Sequence, residues 1–191
     1  MSYFNISDEF KNFLGFDNKE ISFFHFKNSP NINSDLIGPI LIENTYFMIF
    51  DSIKNHLDVK FKDSTFENTS YNFQILLPIF ESIKNAYDHG SALENVLNME
   101  IYLGTKSLGF GICDGGNFYK NPSVKQLIKE KHLPSIDEFP SLYRFESEKR
   151  NKSKGRHGFE RFYSHSDFLD VDLSEGVLFI GFTYENIVKK K

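Results

Sequence analysis

The chain has 191 residues, of which 40% are hydrophobic and 25% charged, and a formal net charge of -4. That length favours one domain with a substantial core, and the composition excludes an intrinsically disordered chain. The acidic balance argues against a dedicated nucleic-acid binder; the single cysteine, Cys113, leaves no internal disulfide framework.

No apolar run reaches membrane-spanning length, and the opening residues Met1 to Asn5 lack a secretory pattern, so the expected setting is cytoplasmic. Residues 1–20 are mixed and read either as an N-terminal helix or as an arm. Residues 21–26 are rich in β-branched and aromatic side chains and predict a strand. Residues 39–56 predict a helix, because Ile42, Tyr46, Ile49 and Ile53 recur at steps of three and four and Pro39 suits a first turn. A loop is expected over 57–70, with a short strand at 59–61. A second helix over 71–89 stops at Gly90, and Pro78 either kinks it or marks its true start.

Leu97, Met99, Ile101 and Leu103 then alternate with Asn98 and Glu100. After a turn at 105–107, Leu108, Phe110 and Ile112 alternate again, which predicts a strand pair. Residues 115–157 are polar and irregular around a helix at 124–131; a stretch this long suits a lid or an insertion. A third helix is expected over 158–165. A hairpin follows, its strands at 169–173 and 177–184 joined by Ser174, Glu175 and Gly176, and Lys189 to Lys191 read as a solvated tail. The order predicts an α/β (α+β) two-layer sandwich: a mixed, mostly antiparallel sheet with helices on one face.

Two segments carry candidate chemistry. On a helix of about 100° per residue, Glu81, Asn85 and Asp88 fall on one polar stripe, opposite Ile79, Ile83 and Ala86. Such a stripe commonly faces water, but a mid-helix Asn one turn after a Glu is unforced by packing. Asp114 shares strand parity with Leu108, Phe110 and Ile112, so its carboxylate is expected on the helix-covered face, where it needs a donor such as a purine amino group. The basic run from Lys149 to Arg156 reads as a solvated loop or as a source of phosphate-neutralising charge. The histidines show no metal-ligand spacing.

These motifs resemble the GHKL ATPases, the family of gyrase B, Hsp90, histidine kinases and MutL. Glu81-x-x-x-Asn85-Ala86-x-x-His89-Gly90 is similar to that family's N box, in the form seen in anti-sigma-factor serine kinases. Asp114-x-Gly116 resembles the start of its adenine-binding box, and Gly158-Phe159 before a short helix, with Asp167 and a hairpin containing Gly176, resembles its final glycine box and closing strands. The resemblance implies an ATP-binding domain over residues 21–185 of the Bergerat type, with a lid at about 117–157, a preceding arm at 1–20 and a basic tail at 186–191. It implies ATP and Mg²⁺ as cofactors. By position, Glu81 is the implied general base and Asn85 the Mg²⁺ ligand, with Asp88 lining the pocket. Asp114 would accept from the adenine amino group while Gly116 and Phe118 border the base. Gly158 would offer backbone N–H groups to phosphate, and Lys154 or Arg156 would neutralise the terminal phosphate as the lid closes.

The pattern departs from the family where Phe118 replaces the second glycine of Asp-x-Gly-x-Gly, where Arg156 replaces a glycine, and where Val177 follows Gly176 in place of threonine. The functional expectation is therefore a small ATPase or a regulatory protein serine kinase, and the alternative is a non-catalytic interaction module with a degenerate pocket. Length excludes a complete histidine kinase, gyrase or MutL. A protein partner or substrate and a homodimer are implied by the resemblance.

Overall fold

The computed structural model describes residues 4–15, 26–27, 37–61, 70–89, 98–113, 115–132 and 156–189. In chain order the elements are α1 (Asp8–Leu14), β1 (Phe26–Lys27), α2 (Ile37–Lys60), β2 (Ser70–Tyr71), a 3₁₀ turn (Phe73–Leu76), α3 (Leu77–His89), β3 (Asn98–Leu103), β4 (Ser107–Cys113), α4 (Pro122–Glu130), α5 (Arg156–His165), β5 (Phe168–Asp172), β6 (Val177–Thr183), α6 (Tyr184–Ile187) and β7 (Val188–Lys189). The main sheet has the order β1–β3–β4–β6–β5, and every neighbouring pair in it is antiparallel. Both predicted hairpins form: Leu103 pairs with Leu108 across one turn, and Asp172 with Val177 across the other. The β4–β6 ladder, with Phe110 opposite Ile180 and Leu108 opposite Phe182, joins them into one sheet. The class is therefore α+β with an antiparallel sheet.

Strand alternation sorts the core into two layers. On one face Met99, Ile101, Leu108, Phe110, Ile112, Leu178, Ile180 and Phe182 meet Ile49, Ile53 and Leu57 of α2, Ile79 and Ile83 of α3, Val124 and Ile128 of α4, and Phe159 and Phe162 of α5. Aromatic contacts lock α2 to the 3₁₀ turn and to α3: Phe50 and Phe73 have ring centroids 4.1 Å apart, and Tyr46 meets Phe80 edge-on at 5.3 Å.

The opposite face carries Tyr102, Val177 and Phe179, and α1 covers it with Phe10 and Leu14. The expectation of helices on one face only fails here. Residues 8–14 form a helix because Ser7 Oγ accepts the Phe10 N–H at 3.2 Å and Gly15 closes the end with a φ of 73°, a conformation that side chains strain. Docking is steric as well as apolar. Gly109 and Gly181 pair across the two central strands, and a Cβ on them would lie 2.5 Å from Phe10 Cζ and 2.2 Å from Phe13 Cε1. The absence of those two side chains makes room for the Phe10 and Phe13 rings. Ser107 Oγ also donates to Phe13 O at 2.7 Å, and Lys106 N to Leu14 O at 3.2 Å, so the last turn of α1 is stitched to the β3–β4 turn.

Two further expectations change, and one open alternative is decided. The first long helix does not stop near 56 but runs to Lys60: Ile49, Ile53 and Leu57 continue one buried stripe, and Val59, expected in a strand, lies on the helix at 75% exposure. Pro78 marks a start and not a kink, because it falls in the first turn of α3, where its missing N–H removes no helical bond. Residues 186–189 are not a free tail: Asn186 and Ile187 end α6, while Val188 and Lys189 pair with Tyr71 and Ser70. Of the strand expected over 21–26, only Phe26 lies in the described residues. Among those residues no helix is long and apolar enough to cross a membrane.

The β5–β6 turn is held by one carboxylate. Burial alone would raise the Asp172 pKa, but the Ser174 hydroxyl at 2.6 Å and the N–H groups of Ser174 and Glu175 at 2.7 and 3.4 Å donate to it, and Lys125 lies nearby; the net effect holds it below its usual value. A depressed folded-state pKa gives stability that is present above the unfolded value and lost as pH falls through the folded one. Asp172→Asn should therefore lower Tm near neutral pH, and its deficit against wild type should shrink in strong acid, as followed by circular dichroism. Gly181→Ala should overpack the α1 face and cost about 1–3 kcal/mol, whereas Phe10→Ala should cost about 3–5 kcal/mol by leaving a cavity. Urea unfolding midpoints measure both.

Candidate functional site

The site is built on α3. Ile79 and Ile83 press one side of this helix into the core, with Leu76 just ahead of it, and Ser82 Oγ donates to Pro78 O at 2.8 Å in the first turn. Glu81 lies on the predicted polar stripe, yet the residue is only 9% exposed. Its carboxylate is ion-paired with the Arg161 guanidinium of α5, and the two side chains are unequally covered, 12% exposed for Glu81 against 41% for Arg161. An isolated carboxylate at that depth would be strongly unfavourable, so the guanidinium is what permits Glu81 to be there. At Glu81 the stripe faces protein and not open water. The α3 backbone stays helical through His89, so Asn85 and Asp88 keep the phase of Glu81, although their side chains lie outside the described residues.

Helix α5 touches the other motif segments as well. Phe159 is buried beside Phe162 and meets Phe118, which follows β4, with ring centroids 6.2 Å apart; Phe118 in turn meets Tyr119 edge-on at 5.2 Å. Tyr163 Oη shares its one proton between Leu127 O at 3.1 Å and His132 O at 2.9 Å, tying α5 to α4 and the residues just past it within the predicted lid. Burial pushes the Tyr163 phenol well above its usual pKa, so it remains a donor throughout the physiological range. Helix α4 itself starts where Asn121 Oδ1 accepts the Ser123 N–H at 3.0 Å and Pro122 opens the first turn.

The predicted site residues are distributed as follows. Glu81 and Phe118 are brought to α5 from separate parts of the chain. Gly116 lies partly buried just after β4, behind Gly115, which has a φ of 70°. Arg156 and Gly158 form the first turn of α5 by their backbone, with side-chain placement at 156–158 outside the described residues. Asp114 and Lys154 also fall outside them. Leu108, Phe110 and Ile112, whose parity Asp114 shares in sequence, face the helix-covered core. Asp167 proves to be a clamp: its carboxylate accepts from Thr183 N at 2.7 Å and from Asn186 Nδ2 at 2.6 Å. Among the described residues there is no group of three or more His, Cys, Asp or Glu able to hold a metal ion.

Two residues of consequence were not singled out from sequence. Arg161 and Tyr163 flank the apolar Phe162 on an amphipathic helix, and no local spacing indicates that one reaches α3 and the other α4. The only available signal was that a buried Glu81 requires a cation from somewhere. Comparisons of the chain with family models, with curated proteins and with solved structures gave no match.

Tyr163→Phe removes one hydroxyl that serves two carbonyls. It should cost about 1 kcal/mol and speed amide hydrogen exchange selectively in the last turn of α4, a pattern that mass spectrometry resolves by peptide.

Proposed function

We propose that the chain is an ATP-binding domain of the GHKL type, taking Mg-ATP between α3, the segment after β4 and the start of α5, and acting in the cytoplasm as a small ATPase or a regulatory protein serine kinase. The observation that carries this reading is the meeting of three separated motif segments on one helix: α5, which begins at Arg156 to Gly158, contacts Glu81 through Arg161 and the post-β4 segment through Phe159 and Phe118. A polar stripe that merely faced water would not place its leading glutamate at 9% exposure.

In this reading Glu81 is the base that orients or deprotonates the attacking water or hydroxyl. Asn85, one turn on, offers a hard amide oxygen suited to Mg²⁺, which when bound neutralises phosphate charge. Asp88 lines the pocket, Asp114 accepts from the adenine amino group, and Gly116 lets the base lie against backbone. The Gly158 N–H, its first-turn neighbours and the positive end of the α5 dipole favour phosphate, with Lys154 and Arg156 meeting its terminal group.

One observation favours the second reading, a non-catalytic interaction module. Phe118 is packed against Tyr119 and Phe159, occupying a position where the resembled family has a glycine. Glu81 and Asn85 weigh the other way, because a pocket without nucleotide has little need of both.

Titration calorimetry with Mg-ATP distinguishes the two. Wild-type protein should bind, and Asn85→Ala and Asp114→Asn should each weaken binding by about tenfold or more, the loss of roughly one good polar contact. Glu81→Ala should retain binding and abolish phosphate release. Binding unchanged in both pocket variants would refute the site, and a wild-type chain that neither binds nor is thermally stabilised by Mg-ATP would leave the interaction module.

A further inference from the structure

We infer that the Glu81–Arg161 ion pair is a latch: it holds the carboxylate idle until the terminal phosphate of a nucleoside triphosphate draws the guanidinium away. This rests on the nucleotide reading above and adds a regulatory element to the same site. A carboxylate oxygen paired with a guanidinium is directed at that cation and not at a nucleophile. With that pair intact, Glu81 is in the wrong state to activate a nucleophile.

The unequal burial of the two partners gives the latch a direction. Glu81, with its side chain 12% exposed on the core-anchored α3, is enclosed, whereas Arg161, at 41%, has much of its length in solvent. The guanidinium is therefore the partner that can move without opening the core. It sits on α5, one turn beyond Gly158 and the first-turn backbone N–H groups that are proposed to receive phosphate. Phe159 and Phe162 anchor that helix on its buried side, so Arg161 can exchange partners by side-chain rotation alone. A terminal phosphate carries more charge than a carboxylate and can accept both arms of a guanidinium fork, so it competes for Arg161 on favourable terms. A nucleoside diphosphate lacks that group and leaves the latch closed. The exchange breaks and forms no covalent bond. It transfers one guanidinium between two anions and frees Glu81 at the moment a substrate is present.

The test compares Kd values for Mg-ATP and Mg-ADP by calorimetry in wild type, Arg161→Lys and Glu81→Gln, all of which retain polar side chains of similar reach. Wild type should prefer ATP by about tenfold, and Arg161→Lys should lose most of that preference with ADP affinity within about twofold, since an ammonium cannot reproduce the fork. Glu81→Gln removes the competing anion, so it should tighten ATP several-fold and leave ADP unchanged, as expected when a population penalty on the competent state is removed. A purely structural ion pair would shift both nucleotides together. Equal ATP-to-ADP ratios in all three proteins would overturn the latch and leave nucleotide binding standing. A wild type that binds neither nucleotide would overturn the latch together with the site itself.

Discussion

Side-chain parity along β4 and β6 is the constraint from which the rest of this molecule follows. Leu108, Phe110 and Ile112 on one strand and Leu178, Ile180 and Phe182 on the other point to the same face, and that face is where α2, α3, α4 and α5 deposit their apolar stripes. The intervening positions are Gly109, Gly111 and Gly181, with Phe179, and the absence of a side chain at Gly109 and Gly181 makes the other face a shallow seat for the aromatic rings of α1. Sliding either strand by one residue would exchange the faces and bury glycine where the helices need bulk. The register is thus specified from both sides. Beyond β4, Phe118 packs on the same helix layer, where the candidate site lies.

Within that layer α5 is the connecting element. Its buried aromatics hold it in place, Arg161 reaches Glu81 on α3, and Tyr163 reaches the last carbonyls of α4. The energetic logic differs between these links. Phe159 and Phe162 gain by leaving water, at about 1.5–3 kcal/mol for each fully buried side chain. The Glu81–Arg161 pair roughly offsets its own desolvation, and removing one partner alone is what would be expensive. An interaction with that balance contributes little to holding the fold together but much to which state the carboxylate occupies, and this suits a role in function.

Much of the architecture was legible in sequence because it was written in local periods. The first hairpin follows from alternation over 97–112, the second from the Ser174-Glu175-Gly176 turn between two apolar runs, and the beginning of α3 from Pro78. What escaped was set by distant partners. The extension of α2 to Lys60 depends on Leu57 finding the core across the helix layer. Glu100 alternates with apolar residues as a surface residue would, yet it is fully buried on the α1 side, where it accepts from Tyr102 Oη at 2.5 Å. The docking of α1 was encoded in a Ser7 cap, the Phe10-Phe13-Leu14 spacing, the Gly15 terminator and the alternating glycines of β4, but each signal is weak until the two segments are seen together. For the site, the grouping of Glu81, Asn85 and Asp88 on one helix face needed only helical geometry. The identity of the cation opposite Glu81 needed the fold.

The most direct measurement is a crystal structure with Mg²⁺ and a non-hydrolysable ATP analogue. The account predicts the adenine amino group against the Asp114 carboxylate, the metal beside the Asn85 amide oxygen, and the Arg161 guanidinium turned from Glu81 toward the terminal phosphate. An analogue bound elsewhere on the surface, or an amide at 85 and a carboxylate at 114 that open onto separate cavities, would contradict it.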